Sequence, residues 1–514
     1  MFKNYFLAVL LSFSFLNVTN AQTPCESGMA GIYPCNDYDL MSRIPISTLA
    51  TSLGNPEGSD VWGWTDPLDG KEYAIIGTTN STAFVDVTNP VSPIFLGRIE
   101  TANGNTSFWR DVKVYNNHAF IVADIIGNHG MQVFDLTILR NGVDPDLTFD
   151  GNQVLRYQGD GGPGDLVIGS CHNIVINESE GVAYLVGCNS ANGGGPIFVD
   201  ITNPANPTVL GDYTSGGYSH DAQVVTYTGP DTDYYDPANG ITNRQIYIGS
   251  NGNSDKVVIL DVTDKSNVVP INAFDYPQIS YAHQGWFTED QRYFILGDEV
   301  DEQSFGNNSR TLIFDFQDLN ADFDLDVNMD QIPDLINIYS GPTAAIDHNG
   351  YVKNNTFYLA NYRAGMRVLD VPTLISANNS SSEIGFFDTF PSSNGASFNG
   401  AWSIYPYFSS GNIIISDIER GMFIVRKSGT LNTIEFTQSS SFSLSPNPTT
   451  SISTLKSNND NSIITVEIYN ILGQRVFNKG NINKLEFVLP TKDYNSGVYL
   501  VKINNSLTKK LVIK

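Results

Sequence analysis

Six histidines occur in this 514-residue chain, and four of them, His172, His220, His283 and His348, fall at one position in successive copies of a repeated unit. Asp60 and Arg110 hold that position in the two preceding copies and Gly400 in the last. A neutral imidazole can hydrogen-bond a neighbouring strand, take up or release a proton near neutral pH, or ligate zinc or another transition metal at about 2.0–2.1 Å. Three readings are therefore open: packing between repeats, a metal or anion site, and acid–base catalysis. Asp221, Asp298 and Glu299 lie near the same position in the aligned repeats and are candidates to orient the imidazoles.

A second cluster is acidic. Asp322, Asp324, Asp326, Asn328, Asp330 and Asp334 place oxygen donors at alternate positions, the last four residues on. Calcium takes six to eight oxygen ligands, and a loop with this spacing can wrap several of them around one ion. A solvated acidic loop accounts for the same residues. From Asp326 to Asp334 the pattern DxNxDxxxD, with Ile-Pro before the final Asp, resembles the thrombospondin type 3 calcium repeat.

Four cysteines are present. Cys25 and Cys35 are close in sequence near the expected mature N-terminus, while Cys171 and Cys188 flank an expected hairpin. With Ser179-Glu180 as its turn, paired positions sum to 359, which sets Cys171 opposite Cys188 and within reach of a disulfide. Two buried free thiols are the alternative. No CxxC metal motif occurs.

The elements that must position these residues are short strands. Gly195 to Gly211, GPIFVDITNPANPTVLG, repeats Ser81 to Gly97, STAFVDVTNPVSPIFLG. Each copy reads as an apolar strand ending in Asp, a Thr-Asn-Pro turn, and a second strand. Aligning the rest places that Asp at Asp86, Asp135, Asp200, Asp261, Asp315 and Asp370, with Arg426 in a seventh copy. Its place before the turn suits a carboxylate accepting backbone N–H groups, a structural task in every repeat.

Two further strands precede the Asp strand in each copy, so four strands recur at roughly 50-residue spacing, the pattern of a β-propeller blade. Seven copies predict seven blades. Leu40-Met41-Ser42-Arg43-Ile44 is similar to the outer strand Phe95-Leu96-Gly97-Arg98-Ile99. The N-terminal segment is thus expected to supply the outer strand of the last blade and close the ring. An open β-solenoid is the rival and offers no reason for that match.

The apolar-apolar-Asp strands, such as Phe84-Val85-Asp86, Phe198-Val199-Asp200 and Ile259-Leu260-Asp261, resemble the LVIVD repeat. Together with the start CESGMAGIYPCN from Cys25, His172-Asn173 and Ser219-His220-Asp221, they resemble the bacterial choice-of-anchor B surface proteins over roughly residues 25 to 430. That resemblance implies a secreted propeller with interchangeable C-terminal anchors and implies no activity.

Residues 1–21 have the form of an export signal: Lys3, the apolar run Phe6 to Leu16, and small residues before Gln22. The run is too short for a stable membrane anchor, and no other stretch reads as transmembrane. The net charge of −26 argues against nucleic acid and anionic membranes as partners and favours divalent cations.

Composition changes near the end. Residues 437–441 read as a linker, and residues 442–514 carry nine Lys/Arg against four Asp/Glu with strand-like alternation, so a small separate β-sandwich is expected there. Ser445-Pro-Asn-Pro448, Val466 to Gly473, Ser496 to Leu500 and Lys510 to Lys514 resemble the C-terminal sorting domain of the type IX secretion system. An accessory binding sandwich is the alternative. The resemblance implies recognition by that machinery, outer-membrane crossing, and loss of the tail on release or attachment at the surface.

Catalytic signatures are otherwise missing: no GxSxG elbow, Walker loop or HExxH occurs, and no dinucleotide fingerprint follows a strand. The expectation is an all-β protein: a signal at 1–21, a seven-bladed propeller over 22–436, and the sandwich. It acts as a secreted or surface-attached binding scaffold. The alternative is a hydrolytic or oxidative metal-dependent enzyme using the histidine arc.

Overall fold

The computed structural model describes residues 22–51, 55–141, 148–149, 153–159, 166–189, 192–321, 333–376, 382–429, 442–457, 462–470, 474–492, 494–504 and 507–514. The expected signal, the linker 437–441, and Asp322, Asp324, Asp326, Asn328 and Asp330 lie outside the described residues. Two compact units are present, Met1–Gly429 and Thr430–Lys514.

The first unit is all-β, and its described residues form seven sheets, each with a core of four strands in antiparallel succession. Their first strands are Gly58–Thr65, Arg110–Tyr115, Asn173–Asn177, Asp221–Thr226, Ala282–Phe287, Gly350–Lys353 and Ala401–Tyr405. Each first strand lies against that of the next sheet, and the seventh lies against the first. Apolar residues alternate toward both faces, so every sheet is covered on two sides. Phe120, Val122 and Val133 of the second sheet, for instance, pack on Ile174, Leu185 and Val199 of the third. An equivalent cluster joins the seventh sheet to the first through Ile414, Met422 and Ile424 against Val61, Ile76 and Val85. Removing these faces from water is the main force holding sheet to sheet.

The third strands end where the repeat places its Asp. Asp86, Asp135, Asp200, Asp261, Asp315 and Asp370 each accept a backbone N–H from the following turn, at 2.8–3.0 Å. Their role is to hold turns, as their position suggested.

The N-terminal strand Tyr38–Ile44 pairs antiparallel with Gly421–Lys427 as the outermost strand of the seventh sheet. The segment ahead of it adds something the repeats do not announce. Tyr33–Asn36 pairs with Phe386 and Phe387, and Met29–Ala30 pairs with Tyr33–Asn36 in turn, so the sixth sheet has six strands. A disulfide between Cys25 and Cys35 ties this segment together.

In the third sheet, Asn173 pairs with Val186 and Asn177 with Val182, the register in which paired positions sum to 359. Cys171 and Cys188, just beyond the strand ends, form the second disulfide. Asp334 begins the strand Asp334–Ser340 and pairs with Asp315.

The second unit has a three-stranded and a four-stranded sheet. They share a core of Phe442, Leu455, Val466, Ile468, Leu489, Val501 and Leu511. Among the described residues no helix is long and apolar enough to cross a membrane.

Candidate functional site

The four histidines lie at or just before the starts of the first strands of sheets three to six, and the packing of those strands side by side brings their imidazoles into one continuous arc. Ring centroids are 4.2 Å apart for His172 and His220, 4.4 Å for His220 and His283, and 4.2 Å for His283 and His348. Beyond His348 the arc ends on Tyr362 and Trp402, at 4.8 and 4.9 Å. The rings line a small cavity of about 20 Å³, shared with Asp60, Trp109, Asp111 and Asn349.

Hydrogen bonds between sheets hold the arc. His220 Nδ1 donates to the carbonyl of His283 at 3.2 Å, and His348 Nδ1 donates to that of Trp402 at 2.5 Å, each reaching the first strand of the next sheet. His172 Nδ1 meets Asp124 Oδ2 of the preceding sheet at 2.9 Å. A carbonyl only accepts, so His220 and His348 carry the proton on Nδ1 and keep the Nε2 lone pair free. His283 departs from the pattern. Its Nδ1 is buried with no partner among the described residues, and its Nε2 stands 3.7 Å from Glu299 Oε2.

Glu299 follows the strand Tyr293–Asp298 and enters the arc from the fifth sheet. Its Oε1 accepts from the Tyr362 hydroxyl at 2.8 Å and lies 3.6 Å from His348 Nε2. Burial pushes this carboxyl up to about 7, against the Tyr362 hydrogen bond, with Asp298 adding to the rise. Burial, reinforced by the neighbouring imidazoles, lowers His220 and His283 well below the usual histidine range. It takes His348 down to about 3 despite the Trp402 carbonyl. These three imidazoles are neutral at physiological pH, the form that ligates metals.

The other residues of the aligned position go elsewhere. Arg110 also lines the cavity, but its guanidinium donates to the Thr78 carbonyl at 3.1 Å and to Thr101 Oγ1 at 2.8 Å, both in the first repeat. Asp60 and Asp111 flank Lys113 Nζ, at 3.2 and 2.5 Å, and the ammonium sits over the Trp62 ring. Asp298 accepts from the backbone N–H groups of Ser280, Tyr281, Val300 and Asp301 and builds the local turn. Asp221 accepts from Ala222 N, and burial raises its carboxyl to about 7. Gly400 precedes the last first strand in the left-handed region; Trp402, in that strand's bulge, is the cavity-lining residue there. Spacing alone did not single out Tyr362 or Trp402. Asp334, the one described member of the acidic insert, is part of a sheet.

Fold and tail together define an exported all-β protein with propeller-like architecture, secreted or held at the cell surface. Residues 443–514 match the family described as the secretion system C-terminal sorting domain, which marks the tail for type IX secretion. No curated protein matches the chain. Similar solved structures include a functionally unknown protein from Desulfotomaculum acetoxidans, with TM-score 0.42 and 11% identity over 66% of this chain and 87% of that one. Another is the β-propeller domain of Cps50 (Swd1) from Myceliophteria thermophila, with TM-score 0.42 and 8% identity over 73% of this chain and 98% of that one. A third is the extracellular domain of the putative one component system BT4673 from B. thetaiotaomicron, with TM-score 0.46 and 10% identity over 92% of this chain and 58% of that one.

Proposed function

We propose that residues 22–436 form a seven-bladed β-propeller, closed by the strand Tyr38–Ile44, that works outside the cell as a binding scaffold. Residues 437–441 link it to the sorting domain at 442–514. The apolar clusters between neighbouring sheets, the seventh and first included, support the closed ring. The resemblance to LVIVD-repeat and choice-of-anchor B proteins supports the surface role.

One observation carries the scaffold reading. Phe108, Ile125, Phe305 and Phe398 are 45–70% exposed. All four lie in connections that enter a first strand or leave a second strand, and so surround the histidine end of the ring. Phe398 rests edge-on against Tyr362, which itself touches His348. Exposed aromatic and aliphatic side chains around a polar pocket are what a recognition face requires.

The test is binding of labelled mature chain to the surface of producing cells that lack the gene. Saturable binding, lost when Phe108, Ile125 and Phe398 are together changed to Ser, supports the scaffold. Absent binding, or binding unchanged in the triple variant, overturns it. Metal-dependent catalysis is the second reading, favoured by the convergence of His220, His283 and Glu299.

A further inference from the structure

Packing alone explains part of the arc. It accounts for the Nδ1 bonds of His220 and His348, which stitch one sheet to the next. It does not account for His283, which is 1% exposed and whose Nδ1 has no hydrogen-bond partner among the described residues. Nor does it account for the half-buried Glu299 carboxyl, bonded to Tyr362 on one oxygen yet standing 3.6 and 3.7 Å from two imidazole Nε2 atoms, too far for a hydrogen bond to either. Leaving the His283 Nδ1 unpaired costs about 1–3 kcal/mol, a cost that packing between sheets does not repay.

Ligand atoms converge in the same place. His220, His283 and Glu299 each offer one ligand atom, and these atoms lie within 4.8 Å of one another. Backbone acceptors fix the tautomers of His220 and His348, and Tyr362 fixes one oxygen of Glu299, as second-shell partners do around metals. Two imidazoles and one carboxylate are the donor set of zinc and non-haem iron centres with open positions. Calcium and magnesium prefer oxygen donors throughout. Ligand atoms about 2.1 Å from a tetrahedral ion lie about 3.4 Å apart, so the three side chains would have to close on the ion by about an ångström.

We infer that His220, His283 and Glu299, with His348 alongside as a further ligand, form a binding site for one divalent transition-metal ion of the zinc class. The adjoining cavity of about 20 Å³ has room for about one water-sized ligand. The site is independent of the scaffold reading, which concerns the rim.

The mature full-length chain, purified without a histidine tag and stripped with EDTA, is titrated with Co²⁺ followed by visible absorption, then with competing Zn²⁺. Glu299→Gln and His283→Asn are measured beside His118→Ala, a control outside the arc. One equivalent of Co²⁺, displaced by Zn²⁺, with affinity reduced at least about tenfold in both arc variants and unchanged in the control, is the expected result. No binding by the parent chain, or a reduction below about tenfold in either arc variant, overturns the proposal. Should a variant fail to fold, the parent chain decides: Zn²⁺ must raise its melting temperature where Ca²⁺ and Mg²⁺ do not. An equal response to all three ions, or none, also overturns it.

Discussion

Glu72 and Ser410, 338 residues apart in the chain, meet where the first and seventh sheets touch. Glu72 Oε1 accepts from Ser410 N at 3.0 Å and Oε2 from Ser410 Oγ at 2.5 Å, while Asn412 Nδ2 adds a third donor at 3.3 Å. The carboxylate is 3% exposed and joins the start of the repeat array to its end. Glu72→Ala leaves these donors unpaired, for an expected loss of about 1–3 kcal/mol in denaturant unfolding. Unchanged stability would mean that this contact does nothing for the join.

Lys113 joins the first strands of the first two sheets in a similar way, through Asp60 and Asp111. Burial alone would lower its ammonium, yet Asp111 and Asp60 hold it well above the usual lysine range. Removing one member of a buried ionic group strands the others. Lys113→Ala is therefore expected to cost about 3–5 kcal/mol, and Lys113→Met combined with Asp60→Asn and Asp111→Asn much less. Equal losses in both proteins would contradict that assignment.

Stability should depend on pH through Glu302. It is 3% exposed, and burial, with Asp301 second, pushes its carboxyl up to about 9 from 4.5. The folded state then binds more protons than the unfolded one between those values. Its contribution is complete below about pH 4.5 and is lost progressively as pH rises toward 9. Glu302→Gln keeps a neutral side chain at every pH. Melting temperatures at pH 5, 7 and 9 should fall more steeply for the parent chain than for the variant; parallel curves would refute the assignment.

The acidic insert makes a separate prediction. If Asp322, Asp324, Asp326, Asn328, Asp330 and Asp334 hold calcium, chelation with EGTA should speed proteolysis within residues 322–334. Restored Ca²⁺ should reverse the effect, and Mg²⁺ should not. Cleavage indifferent to calcium would leave a solvated acidic loop.

Much of this architecture was legible because repeated physics leaves repeated residues. Every repeat needs its turn held, so the Asp before the turn recurs and marks the third strand from Asp86 to Asp370. Hairpin arithmetic set the register that joins Cys171 to Cys188. The arc was legible for the same reason, since four histidines share one register. What spacing could not show is where single residues depart from the repeat. A bulge between Ala401 and Ser403 puts Trp402, rather than Gly400, at the cavity. Tyr362 reaches Glu299 from a loop of another sheet, with no periodicity to announce it. Met29–Ala30 and Tyr33–Asn36 are too short for alternation to reveal them as strands of the sixth sheet.

The most direct test of the account is a crystal structure of the zinc-loaded mature chain, with diffraction recorded on both sides of the zinc absorption edge. An anomalous peak bounded by His220, His283 and Glu299, inside the ring of first strands, is the predicted result. A map with no peak there, or with zinc only at surface side chains, would contradict it and leave the histidines as packing between sheets.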